Sequence, residues 1–202
     1  MKNITTLIVS FLLVYSANAA QYAFKNLGPA SAYDALGIVS SGGTALGSSA
    51  TAQLGYFSDE AQAATGVFTS WNQFGSDVNF AGSGVFSTDG LFSGDVSGAV
   101  NAGSSFIDES ISILITNGAG NEFLAATTSF TFAVDDPLTT GDVFLYDTTL
   151  TYLFGGTADT GFSIDGLGAR SAVQTAPVPE PSTYALLGGL LALCCVMVRR
   201  RA

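Results

Sequence analysis

Three short stretches of this chain alternate large apolar residues with a period of two. Ile111, Ile113 and Ile115 interleave with Ser112 and Leu114; Phe130, Phe132 and Val134 with Thr131 and Ala133; Leu150, Tyr152 and Phe154 with Thr151 and Leu153. That spacing lines one face of an extended strand, and β-branched and aromatic side chains suit a pleated surface. Asn117-Gly118, Asp136-Pro137, Gly155-Gly156 and Asp165-Gly166 punctuate the runs with turn chemistry. Further strands are expected near residues 22–27, 66–74, 78–80, 85–86 and 142–146. A single helix is expected over Asp59 to Ala64, capped by Ser58, with its acids at the positive end of the helix dipole. Short strands without intervening helices exclude a parallel α/β domain. They predict an all-β ectodomain over residues 21–167, an antiparallel β-sandwich or jelly-roll-like fold.

Two weaker patterns bear on organisation. Gly66-Val67-Phe68-Thr69, Gly84-Val85-Phe86-Ser87 and Gly90-Leu91-Phe92-Ser93 look alike but follow no fixed period, so they read as β-edges rather than a solenoid repeat. Residues 168–177 lose the alternation and read as a linker.

Charge and residue types exclude several chemistries. The chain has sixteen acids against six basic residues, a net charge of −10 and no histidine. Between residues 21 and 181 only Lys25 and Arg170 oppose the acids, so a nucleic-acid partner is excluded. Without histidine, neither a Ser-His-Asp nor a Cys-His device can be built, nor the usual zinc sites. Both cysteines, Cys194 and Cys195, lie in an apolar stretch near the end of the chain, leaving the ectodomain without thiols or disulfides.

Carboxylates are the remaining candidates. Asp59-Glu60, Asp108-Glu109 and Asp135-Asp136 are adjacent pairs, and Glu122 stands by itself. Neighbours on a strand face opposite sides, so no pair alone forms the two-carboxylate cleft of a glycosidase. No catalytic residue and no cofactor are expected, and the chain reads as a non-enzyme. Asp135, Asp136, Asp142 and Asp147 gather around a turn and would suit calcium, although the D-x-[DN]-x-[DN]-G loop is missing; a solvated turn is the plainer reading. Tyr56, Phe57, Trp71 and Phe74 would suit a sugar-stacking platform, with core packing the plainer reading.

The two ends read as addresses. Lys2, the apolar Leu7–Tyr15 stretch and the small residues Ala17, Ala19 and Ala20 form a Sec-type signal peptide over residues 1–20, cut after Ala19 or Ala20. The Sec translocon and signal peptidase are the implied partners. At the other end no charge interrupts Tyr184 to Val198, and fifteen helical residues reach about 22 Å. Extending the segment to 183–198, with arginines snorkelling, brings it close to a membrane span. Arg199, Arg200 and Arg201 would then act as a stop-transfer anchor on the cytoplasmic side, leaving the ectodomain outside. Pro179 and Pro181 flank Glu180 and impose an extended backbone just ahead of that span.

Val178-Pro179-Glu180-Pro181-Ser182-Thr183, an apolar helix and a terminal arginine cluster together resemble the PEP-CTERM sorting signal, over residues 178–202. The Leu186-Leu187-Gly188-Gly189-Leu190 run and Ala192-Leu193 follow the same pattern, whereas Cys194-Cys195 depart from it. The resemblance implies recognition by an exosortase, with Val178, Pro179, Glu180 and Pro181 as the sorting motif. It also implies a Gram-negative host that makes exopolysaccharide and a biofilm matrix. The protein would be anchored in the inner membrane before processing, then reside at the cell surface or in the extracellular matrix. Three readings of the body follow: a structural or adhesive matrix protein, a carbohydrate-binding module, and, weakest, a secreted glycan hydrolase.

Overall fold

The computed structural model describes residues 20–26, 36–80, 89–98, 100, 103–118, 121–133, 140–144, 150–164, 168–178, 189–190, 193–194 and 197. Within these the chain is all-β, built mostly from antiparallel pairs. Its strands are β1 (Ala20–Lys25), β2 (Gly37–Val39), β3 (Thr51–Phe57), β4 (Trp71–Asn79), β5 (Ser93–Gly98), β6 (Ser110–Thr116) and β7 (Glu122–Thr131). They continue as β8 (Thr140–Phe144), β9 (Leu150–Phe154), β10 (Thr157–Ile164), β11 (Gly168–Gln174) and β12 (Ala176–Pro177), with a short helix, α1 (Glu60–Ala63), between β3 and β4.

Three sheets result. The largest runs β12-β7-β6-β3-β4, with β9 also on β7. β1 forms the centre of a second sheet, antiparallel to β5 and parallel to β8. In the third, β11 lies between β10 and β2, again with one antiparallel and one parallel neighbour. The two parallel pairs depart from a purely antiparallel design. They arise because β1 and β2, early in the chain, accept strands from its far end.

The alternation that marks β6 is realised on both faces. Ile111, Ile113 and Ile115 enter the main core, while Leu114 enters a second cluster on the opposite face. A central strand covered on both sides has no solvent face, so its intervening Ser112 is buried too, with its hydroxyl bonded to Thr127 Oγ1 at 3.2 Å. Aromatic rings dominate the main core. Tyr22 of β1 meets Phe74 of β4 edge-on at 5.5 Å and Phe132 at 5.7 Å, joining the β1 sheet to the large sheet. Phe106 completes the group, 5.3 Å from both Phe74 and Phe132. Burial of this kind contributes about 25 cal/mol per Å² of apolar surface and is the main favourable term here.

Several expectations are corrected. Phe154 was expected to share a face with Leu150 and Tyr152. The register shift where β9 passes Ala125 and Ala126 uses an extra residue, so Phe154 turns into the opposite cluster. β7 ends at Thr131, so Phe130 is exposed while Phe132, beyond the strand, is fully buried. The helix is capped by Asp59, whose carboxylate accepts from Gln62 N at 3.0 Å; Ser58 instead donates its hydroxyl to Ser70 O. Residues 168–177 are not a linker: β11 pairs with β10 and β2, and β12 with β7. The segment lacks alternation in part because Ala172 and Val173, neighbours in β11, are both buried, so the strand shows no solvent face there.

Among the described residues no helix is long and apolar enough to cross a membrane. The expected span 183–198 falls largely outside them; Gly189, Leu190, Leu193, Cys194 and Met197 are helical, and Leu190, Leu193 and Met197 are exposed.

Candidate functional site

The C-terminal end of the β body is where the sequence features and the fold meet. β9 covers the outer edge of β7 from Ala125 to Thr128, and β12 takes over that edge at Phe123 and Glu122. Between them the chain turns through Gly155 and Gly156, both at positive φ (72° and 84°). A side chain at Gly155 would come within 2.9 Å of Gln174 O, so only glycine lets β9 and the end of β11 approach this closely. Gly156 N then donates to Gln174 O at 2.9 Å.

Glu122 organises this corner. Its carboxylate accepts from Ser41 N at 3.3 Å and from the Ser41 hydroxyl. It also accepts from Asn117 Nδ2 at 3.0 Å and from Thr175 Oγ1 at 2.9 Å. The Ser41 hydroxyl above all, then Asn117, Thr175 and the Ser41 N–H, hold the Glu122 carboxyl below the ordinary glutamate range, although partial burial pushes the other way. These donors come from the turn after β2, the end of β6 and the residue between β11 and β12. Thr175 is itself buried and donates its N–H to Val39 O at 2.9 Å.

The chain leaves the sheet under this clamp. Pro177 pairs with Glu122, and Val178 N donates to Asn121 O at 3.0 Å. Val178, the first residue of the expected sorting motif, is therefore held on the body, half-buried beside Gly66. Pro179, Glu180, Pro181, Arg199, Arg200 and Arg201 lie outside the described residues, as do Ala17 and Ala19. Ala20 is buried and opens β1, paired with Gly98. Signal cleavage after Ala19 would leave that strand whole, whereas cleavage after Ala20 would remove its first pairing.

Only some of the other sequence candidates fall among the described residues. Asp135, Asp136 and Asp147 fall outside the described residues, and Asp142 lies in β8 opposite Ala23. Among the described residues no three His, Cys, Asp or Glu side chains are grouped to hold a metal. Of the four aromatic candidates, Tyr56 and Phe74 are committed to the main core. Phe57 and Trp71 pack together on the outer face, ring centroids 4.7 Å apart, with half-buried Phe68, Phe123 and Phe154.

Glu122 was visible in the sequence only as an isolated acid near a turn. Its donors Asn117, Thr175 and Ser41 stand 5, 53 and 81 residues away, so only the first belongs to a local pattern.

Residues 177–201 match the family model of the PEP-CTERM protein-sorting motif. The chain carries a PEP-CTERM sorting signal. The match begins at Pro177, inside β12, so the signal and the folded body share residues. The motif supports an exported surface protein sorted by an exosortase, with processing at the membrane before surface release. No curated protein and no solved structure matched the chain.

Proposed function

We propose that this chain is a non-enzymatic surface or matrix protein whose β body is the delivered product and whose tail is a disposable address. The PEP-CTERM match at residues 177–201, which begins within the last strand, carries this reading. In it, the Sec translocon exports the chain and signal peptidase cuts after Ala19 or Ala20. The 183–198 segment then spans the inner membrane, with Arg199, Arg200 and Arg201 held on the cytoplasmic side. Exosortase cuts near Glu180, and the β body passes to the exopolysaccharide layer of a Gram-negative biofilm. There it acts as a structural or adhesive component. The saturated Glu122 carboxylate and the capping role of Asp59 are consistent with acids that hold the fold rather than perform chemistry.

Mass spectrometry of the mature protein from its own host tests this: chains should end near Glu180 and lack Cys194. Finding only full-length tails would mean a permanent anchor. Neutral replacements at Arg199, Arg200 and Arg201 should reduce membrane retention before processing.

A carbohydrate-binding module is the second reading, favoured by the half-buried rings of Phe68, Trp71, Phe123 and Phe154 packed over buried Phe57 on the outer face. Retention of the mature protein on the host's own polysaccharide, lost on Trp71→Ala, would support it. Equal elution of the two in the void would remove it.

A further inference from the structure

We propose that Glu122 governs access to the sorting signal, by latching β12 onto β7 and so withholding Pro177 and Val178 from the processing enzyme. The inference rests on the reading above that the tail is cut near Glu180.

The argument begins with what a peptide-cutting enzyme needs. A cleft that binds extended peptide takes hold of two or three residues upstream of the bond it cuts, largely through their backbone groups. Upstream of Glu180 those residues are Pro179, Val178 and Pro177. Here Val178 N is already bonded to Asn121 O at 3.0 Å, and Pro177 is paired with Glu122. The recognition segment and the body's own edge strand therefore compete for the same backbone. Engagement requires β12 to peel away.

What resists peeling is mainly the side-chain clamp, because β12 itself is two residues long and one of them is proline. Thr175 Oγ1, immediately before β12, reaches the Glu122 carboxylate at 2.9 Å. The same carboxylate is pinned by Ser41 and Asn117, so it cannot follow Thr175 outward. A hydrogen bond to a charged acceptor in this setting is one of the stronger kinds. Glu122 touches no reacting atom in this scheme. It acts through β12 and is a positioning residue.

Pulse–chase of the full-length protein in its host, following loss of the tail, tests the latch. Glu122→Gln should shorten the lifetime of the uncut precursor about fivefold, the population change expected when a charge-assisted bond is lost. Thr175→Val removes the partner hydroxyl with little change of shape and should act in the same direction. An insertion of Gly-Ser-Gly-Val after Val178 keeps valine before Pro179 while supplying unpaired backbone upstream. It should bring the wild-type chain to the faster rate and abolish the difference between wild type and Glu122→Gln, which a change in overall stability would not do. Equal rates for wild type and both point variants, or slower cutting in either, would overturn the latch. A wild-type chain that keeps its tail throughout would instead remove the sorting reading, and the latch with it.

Discussion

Asn26 and Glu122 both gather strands that are distant in sequence, by opposite means. Asn26 is fully buried and neutral. Its amide donates to Leu36 O and Gly90 O, each at 2.8 Å, and its Oδ1 accepts from Phe92 N at 2.7 Å. Glu122 is half-buried and ionised, and only accepts. The amide fastens the end of β1 to the approaches of β2 and β5, and nothing about it changes with pH. The carboxylate fastens the exit of the chain and depends on its charge. A permanent join is made with a neutral group out of water, and a releasable one with a charged group within reach of it.

The most damaging way to break the comparison is Asn26→Ala, which takes the side-chain partner from buried Leu36 O and Phe92 N, while Gly90 O keeps its bond from Ile38 N. It should cost about 3 kcal/mol or more in urea unfolding of the mature protein; a loss under about 1 kcal/mol would mean that solvent replaces the amide. Asn26→Asp should follow at about 2 kcal/mol near neutral pH, since a carboxylate cannot donate to the two carbonyls it would face. Burial against those carbonyls raises the folded pKa of the new acid. The variant should therefore be most stable below about pH 4 and weaken as pH rises, giving Asn26 the sensitivity it lacks in the natural chain.

Glu122→Gln should cost less, about 1 kcal/mol at neutral pH. The natural Glu122 has its pKa lowered by folding, so its contribution is present above the ordinary glutamate value and fades as pH falls through the folded one. Wild type and Glu122→Gln should thus converge in stability below about pH 4, and parallel pH curves would remove the carboxylate from the account. Smallest is Asp59→Ala, which removes the α1 cap and should cost about 0.5–1 kcal/mol, read as faster amide exchange at Gln62 with the rest of the protein unaffected.

The same contrast marks what could be read from the sequence. β6 was legible because Ile111, Ile113 and Ile115 state their face within seven residues. Phe154 was misplaced because a bulge in its pairing with β7 is invisible in its own strand. β11 and β12 were missed for a related reason: their strand character comes from partners supplied by β2, β10 and β7, not from their own alternation. The sorting signal was fully legible, since its order of Pro-Glu-Pro, apolar run and arginines works without a fold. That the signal starts inside a sheet was not, because the pairing of Pro177 with Glu122 appears in neither segment alone.

The join between Val39 and Thr175 spans 136 residues. An exported chain that emerges from its N-terminal end offers β1 and β2 first, and both must wait for partners made much later. β2 finds β11, and the β7 edge is sealed by β12, only once residue 177 has crossed. The sorting signal begins at that same residue. Completion of the fold and arrival of the address thus fall together, and a chain shortened before that point would lack both its closing strand and its sorting signal.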